Sequence, residues 1–367
     1  MIPGLEGVIA CESAITFIDG QQGVLSYRGY DIHEIAEATT FEEVAFLLWE
    51  GRLPTRSEAE TFGKELARLR PLDPQILSLI RSSPEWAHPM ARLRTAVSFI
   101  GEMDPQADVG DRAADLTKAK NLAAKLSTVV AAMARLSRGL EPIAPNAELD
   151  HASNYLYMLT GRVPDEASRR ALDATLILYA DHELNASTFA CRVVTGTLSD
   201  LYSAVVAGIG ALKGPLHGGA IDDAMRLFQD IGSVDNVRSY VDAALEQKRR
   251  LPGFGHRVYR VLDPRAIHLK KMAEQLARAS DEPHWYDIAM ATQDYMYERK
   301  RLNANVDYYA SLVLYYLGFP LHLFTNFIAS TRVVGWTAHI LEQRENNRLI
   351  RPRAQYTGPL GLKLADR

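Results

Sequence analysis

From Arg112 to Arg138 the chain runs through a long, alanine-rich stretch that closes only at Gly139. Length and small side chains together predict a helix buried between other helices. The punctuation around it is helical as well. Thr40 and Glu43 form a capping-box pattern, Phe41, Val44, Leu47 and Leu48 follow, and Gly51 marks the end. Thr55 and Glu58 repeat the device ahead of Ala59, Phe62, Leu66 and Leu69, with Pro71 as the stop. Asp73-Pro74 and Pro89 start further helices; His151 to Leu159 and Asp165 to about Thr195 read as apolar helices, and Ser199 as the cap of one running through Leu212. The only β signal lies near the start, where Ala14 to Ile18 and Val24 to Tyr27 flank Asp19-Gly20-Gln21-Gln22-Gly23. The fold class expected is all-α with one short N-terminal hairpin.

Between about Gly218 and Leu317 the chain is more polar and its helices shorter, such as Asp235 to Arg250 and Asp263 to Arg278. Apolar content returns over Leu321 to Glu345. A smaller helical domain inserted into a larger one accounts for this most simply, although composition alone does not place the boundary. No internal repeat, low-complexity tract or flexible linker interrupts the chain.

At 367 residues the length suggests about two domains. A net charge of −4 with no dominant basic face argues against nucleic-acid binding, so any anionic substrate must be held by local arginines. Cys11 and Cys191 stand far apart without CxxC spacing, which indicates neither a disulfide framework nor a zinc site. No apolar run approaches the ~18 residues of a spanning helix. The first residues lack a secretory pattern, so a soluble, cytoplasmic protein is expected.

Three short stretches carry chemistry. In Pro252-Gly253-Phe254-Gly255-His256-Arg257-Val258-Tyr259-Arg260, two glycines allow a tight turn and a close approach to a ligand, and offer His256 from a loop. Asp263-Pro264 reads as a cap and first helical residue, which sets Arg265 in the first turn of the next helix. An imidazole beside Arg257, Arg260 and Arg265 suits a small anion, yet a basic loop with a satisfied histidine has the same pattern. Lys213-Gly214-Pro215-Leu216-His217-Gly218-Gly219-Ala220 presents a second glycine-flanked histidine. In Asn305-Val306-Asp307, either Asn305 or Asp307 suits a helix cap, and Asp307 suits a base. Two tempting motifs fail. His182-Glu183 is followed at the metalloprotease position by Ala186, and Gly208-Ile209-Gly210 has Lys213 where the third dinucleotide-loop glycine belongs. No phosphate-binding GxxxxGK[ST] motif occurs.

GPLHGGA, PGFGHRVYR…DPR and NVD, in that order, resemble the citrate synthase family, and the resemblance extends from Gly4-Leu5-Glu6-Gly7-Val8 to Arg351-Pro352. It implies a large helical domain, residues 1–217 and 318–367, and a small one, residues 218–317, that closes over the substrates with His217 near the hinge. It further implies condensation of acetyl-CoA with oxaloacetate and hydrolysis of citryl-CoA. In that scheme Asp307 is the base, His217 donates to the thioester oxygen, and His256 polarises the oxaloacetate carbonyl. His182, Arg265 and Arg332 match oxaloacetate ligands, and Arg260 matches a ligand of the CoA phosphates. Arg351 matches an arginine that reaches the neighbouring subunit's site, which implies a homodimer. Coenzyme A enters as a thioester substrate; no permanently bound cofactor and no metal are implied. Lys248-Arg249-Arg250 is a further cation run near the CoA side, or a solvated helix end.

This chain departs from the family pattern at Ile221, where asparagine is common, at Asn303-Ala304, where a proline precedes the NVD motif, and at Ser127, where proline is common. Three alternatives to citrate synthesis stay open at this point. They are 2-methylcitrate synthesis from propionyl-CoA, the reverse cleavage by a citryl-CoA lyase, and a silent helical interaction protein of the same fold.

Overall fold

The Asp19 carboxylate accepts from the backbone N–H groups of Gln21 and Gln22 at 2.9 and 3.0 Å. That turn folds strand β1 (Thr16–Asp19) onto β2 (Val24–Tyr27), with Thr16 opposite Tyr27 and Asp19 opposite Val24. A third short strand, β3 (Tyr30–Asp31), adds to β2 and makes an antiparallel sheet in the order β1-β2-β3. Two residues with one polar neighbour carry too little alternation to be read from sequence, which is why only the hairpin was expected. The computed structural model describes residues 2–256 and 258–363. Arg257, one of the three guanidinium groups behind His256, lies outside the described residues, as do Met1 and residues 364–367.

Helices make up the rest of the regular structure. After α1 (Ile32–Ala38), α2 (Phe41–Glu50) and α3 (Arg56–Leu69) both open on complete capping boxes, Thr40 with Glu43 and Thr55 with Glu58. Gly51 ends α2 at φ +77°. Proline follows the cap at the start of α4 (Pro74–Ser82) and α5 (Pro89–Glu102). The alanine-rich stretch is α6 (Arg112–Leu136), and between Leu122 and Ala134 every residue but Lys125 is buried. Lys125 reaches out to the Leu69 carbonyl at 2.8 Å.

The apolar run from Asp165 to Thr195 is two helices, not one. After α7 (His151–Thr160), α8 (Glu166–Tyr179) stops and α9 (Ala186–Gly196) restarts under an Asn185 cap. The break is tertiary in origin. The Ala180 carbonyl accepts from the Gly335 N–H at 3.1 Å, and the Asp181 carboxylate accepts from Thr16 Oγ1 at 2.6 Å and the Glu183 N–H at 3.1 Å. Glu183 itself sits at φ +52°. The cap of α10 (Leu201–Leu212) is Asp200 and not Ser199, because the aspartate carboxylate reaches the Ser203 N–H at 2.8 Å.

In the more polar region, α11 (Ala220–Ile231), α12 (Val237–Glu246), α13 (Pro264–Arg278), α14 (His284–Lys300) and α15 (Val306–Tyr316) pack on one another. Helices α13 and α15 also lie against α8. The last helix, α16 (Phe324–Glu345), is buried along most of its length and packs against α2, α6, α8, α9 and α10. It therefore joins the two ends of the chain: Trp49 Nε1 on α2 donates to Thr337 Oγ1 on α16 at 2.9 Å. No helix among the described residues is long and apolar enough to cross a membrane.

Candidate active site

Gly253 and Gly255 take φ values of +80° and +76°, which side chains resist. The turn they make lets Phe254 pair with Ala304 in an isolated antiparallel bridge. The Asn305 N–H donates to the Gly253 carbonyl at 2.8 Å, and Asn305 Nδ2 donates to the Gly255 carbonyl at 2.9 Å. Asn305 Oδ1 meanwhile caps α15, accepting from the N–H groups of Asp307 and Tyr308. Asn305 is thus the cap, and the Asp307 carboxylate is free for other work. A Cβ on Gly253 would fall 2.5 Å from Tyr308 Cδ2.

Tyr179, the last residue of α8, is the centre of the site. Its hydroxyl donates to Asp307 Oδ1 at 2.7 Å, and its carbonyl accepts from Arg332 Nε at 2.7 Å. The Arg265 guanidinium lies 5.9 Å from its ring centroid. Arg265 and Arg332 are 3% and 5% exposed, so neither is a solvated surface group. Arg265 is paired with Asp263, which also caps α13. Burial raises the Asp307 carboxyl above its ordinary range, while the Tyr179 hydrogen bond and the Arg265 and Arg332 charges pull it part of the way back.

Three histidines face the same region. His256 Nδ1 accepts from the N–H groups of Val258 and Tyr259 at 3.0 and 3.1 Å, so in the neutral ring the proton sits on Nε2. Burial, reinforced by the Arg265 charge, pushes His256 down to about 4. His217 Nε2 accepts from the Ser187 N–H at 3.3 Å and lies 2.9 Å from Ser187 Oγ. The Ser187 hydroxyl, which also lies 2.7 Å from Asn185 Oδ1, accepts from Trp336 Nε1 at 3.0 Å. With Nε2 accepting from the Ser187 N–H, the proton of the neutral ring sits on Nδ1. Burial, with the Arg332 charge, lowers His217 to about 4 as well. His182 is 9% exposed, packs edge-on against His256 at 5.6 Å, and is lowered by burial and then by Arg265. All three rings are therefore neutral near pH 7.

The chain thus gathers His182, His217, His256 and Asp307 around two buried arginines: Arg265 acts on His182, His256 and Asp307, and Arg332 on His182, His217 and Asp307. Arg260 and Arg351 are exposed. The Arg260 N–H donates to the Gly20 carbonyl at 2.8 Å, which ties the β1-β2 turn to the loop after His256. Lys248, Arg249 and Arg250 are exposed beyond α12. Ile221 is fully buried on α11, and Ser127 is buried on α6. Sequence reasoning missed Tyr179, Ser187 and Asp181. Asp181 holds the loop bearing His182 through Thr16 and through His339 Nε2 at 3.3 Å. Among the described residues no group of His, Cys, Asp and Glu side chains could hold a metal ion.

The family model described as "Citrate synthase, C-terminal domain" matches residues 4–353. The chain belongs to the citrate synthase family. It is 48% identical to the citrate synthase of Haloferax volcanii over 97% of this chain and 95% of that protein. It is also 43% identical to a 2-methylcitrate synthase of Mycobacterium tuberculosis, over 97% of this chain and 90% of that one. Among solved structures, the fold matches citrate synthase from Thermoplasma acidophilum with a TM-score of 0.93 and 34% identity, covering 99% of this chain and 98% of the other. That structure is a ternary complex with carboxymethyl coenzyme A and oxaloacetate. As a member of the citrate synthase family the protein is an enzyme, an acyltransferase, with the helical fold of that family.

Proposed function

We propose that the protein is a citrate synthase, condensing acetyl-CoA with oxaloacetate and hydrolysing citryl-CoA to citrate and CoA. The observation that carries this reading is the Asp307 carboxylate, held by Tyr179 in the same cluster as two neutral histidines with one donor nitrogen each. A carbon next to a thioester gives up its proton reluctantly, so a base works only where a donor meets the developing enolate oxygen. Asp307 takes the methyl proton while His217 Nδ1–H donates to the thioester oxygen. The enolate carbon attacks the ketone carbon of oxaloacetate, whose oxygen His256 Nε2–H polarises. Water then cleaves the thioester of citryl-CoA, releasing citrate and the CoA thiol. A neutral histidine is the appropriate donor here, and burial is what keeps both rings neutral.

Oxaloacetate carries two carboxylates, and planar guanidinium forks orient such groups. Arg265, Arg332 and His182 take that role, with Arg351 reaching the site of a second copy in a homodimer. Arg260 receives CoA phosphates from its exposed position. Residues 218–317 act as the small domain, closing on residues 1–217 and 318–367 about a hinge near His217. A cytoplasmic location completes the reading.

Turnover of Asp307→Asn, followed by release of the CoA thiol, tests the proposal; unimpaired condensation would remove it. The second reading is 2-methylcitrate synthesis from propionyl-CoA, favoured by the resemblance to a protein of that name. One methylene in an apolar pocket discriminates by only about 10–200-fold, so one site can accept both acyl groups.

A further inference from the structure

We propose that Tyr179 is a positioning residue for the Asp307 base, fixing the carboxylate through Oδ1 so that Oδ2 is the oxygen that takes the substrate proton. The proposal rests on the function proposed above for Asp307. Tyr179 is 2% exposed at the end of α8, and its hydroxyl meets Asp307 Oδ1 at 2.7 Å from 128 positions away in the chain. Among the described residues no protein group donates to Oδ2. The phenol can only act as the donor in this pair, since burial and the Asp307 charge both hold its proton on.

A carboxylate with one bound oxygen is held in rotation about its last torsion, which is otherwise broad. The same residue holds Arg332 by its carbonyl, at 2.7 Å. The groups assigned to the two substrates, Asp307 for the thioester and Arg332 for the dicarboxylate, thus take their positions from a single residue. Small misplacements of reacting atoms are costly in rate, which gives such a shared reference point its value.

Tyr179→Phe keeps the ring and the carbonyl and removes the donor alone. Steady-state kinetics across pH should show kcat reduced at least about tenfold. The KM for oxaloacetate should stay within about twofold of wild type, because the backbone contact to Arg332 is untouched. The acid limb of kcat should move to higher pH, since the carboxylate has lost a partner that favours its ionised form. Replacing Tyr179 by 3-fluorotyrosine, a stronger donor of nearly the same shape, should move that limb to lower pH and decides the matter if the phenylalanine variant does not fold. In an Asp307→Asn background, Tyr179→Phe should cause no further loss. Unchanged kcat and unchanged acid limbs in the Tyr179 variants would overturn the proposal while Asp307→Asn is inactive. Full turnover by Asp307→Asn would instead overturn the assignment of the base.

Discussion

The Asn305 N–H donates to the Gly253 carbonyl at 2.8 Å, and this bond joins the loop that carries His256 to the helix that carries Asp307. Two candidate catalytic groups, 51 positions apart by their numbering, are thereby set on one rigid junction. The first prediction follows from its tightness. Gly253→Ala would place a methyl 2.5 Å from the Tyr308 ring at a φ of +80°, a conformation that costs a residue with a side chain roughly 1–3 kcal/mol. The variant should melt at lower denaturant concentration and lose kcat more than substrate affinity. Urea titration and steady-state kinetics check both.

Asp307→Asn keeps the shape of the base and removes its ability to accept a proton. Condensation should fall by roughly 10²–10⁴-fold, the usual contribution of a positioned base. Oxaloacetate binding, measured by calorimetry, should persist because the arginines and His182 are unchanged.

Arg332→Lys keeps the charge but loses the fork and the Nε contact to the Tyr179 carbonyl. A hydrogen bond made by a charged group is worth about 1.5–3 kcal/mol, so losing the fork's second arm on the substrate should raise the KM for oxaloacetate at least about tenfold. An oxaloacetate KM equal to wild type would exclude Arg332 from the dicarboxylate site.

Acid should act on activity and stability through different groups. Asp307 must be ionised to work, and burial raises its carboxyl, so kcat should fall with pH through a value above the ordinary aspartate range. Two of the buried histidines act on stability. His217 and His256 are lowered from 6.5 to about 4, so between those values the unfolded chain binds protons that the folded chain does not. The share of stability that rests on these two rings should therefore decline as pH falls from about 6.5 to about 4, against the opposite contribution of Asp173 and Asp222, whose carboxyls burial raises to about 7 and about 6. Thermal melts of wild type and His217→Gln across that range check it: the variant should gain stability relative to wild type as pH falls.

Acyl preference is read from kcat/KM for acetyl-CoA and propionyl-CoA on the same preparation. Acetyl-CoA should be preferred, by up to about 200-fold if the pocket excludes the added methylene. Equal or better use of propionyl-CoA would assign the protein to 2-methylcitrate synthesis.

Local features of this protein were legible in the residues alone. The capping boxes at Thr40-Glu43 and Thr55-Glu58, the Gly51 stop, the Asp263-Pro264 start and the β1-β2 turn each depend on partners within a few positions, so composition and spacing are enough to find them. The glycine-flanked histidines and the NVD segment were visible for the same reason. What tertiary structure alone decided were the contacts between distant positions. The helix break at residues 180–185 comes from Gly335 and Thr16, the donor nitrogen of His217 from Ser187, and the hold on Asp307 from Tyr179. Whether Asn305 or Asp307 caps α15 was equally open in the sequence, because both suit a helix start, until the Gly253 turn fixed Asn305 in place. Hydrogen bonds across 30 to more than 100 positions leave no periodicity in the chain, and only folding brings their donors and acceptors to the same point in space.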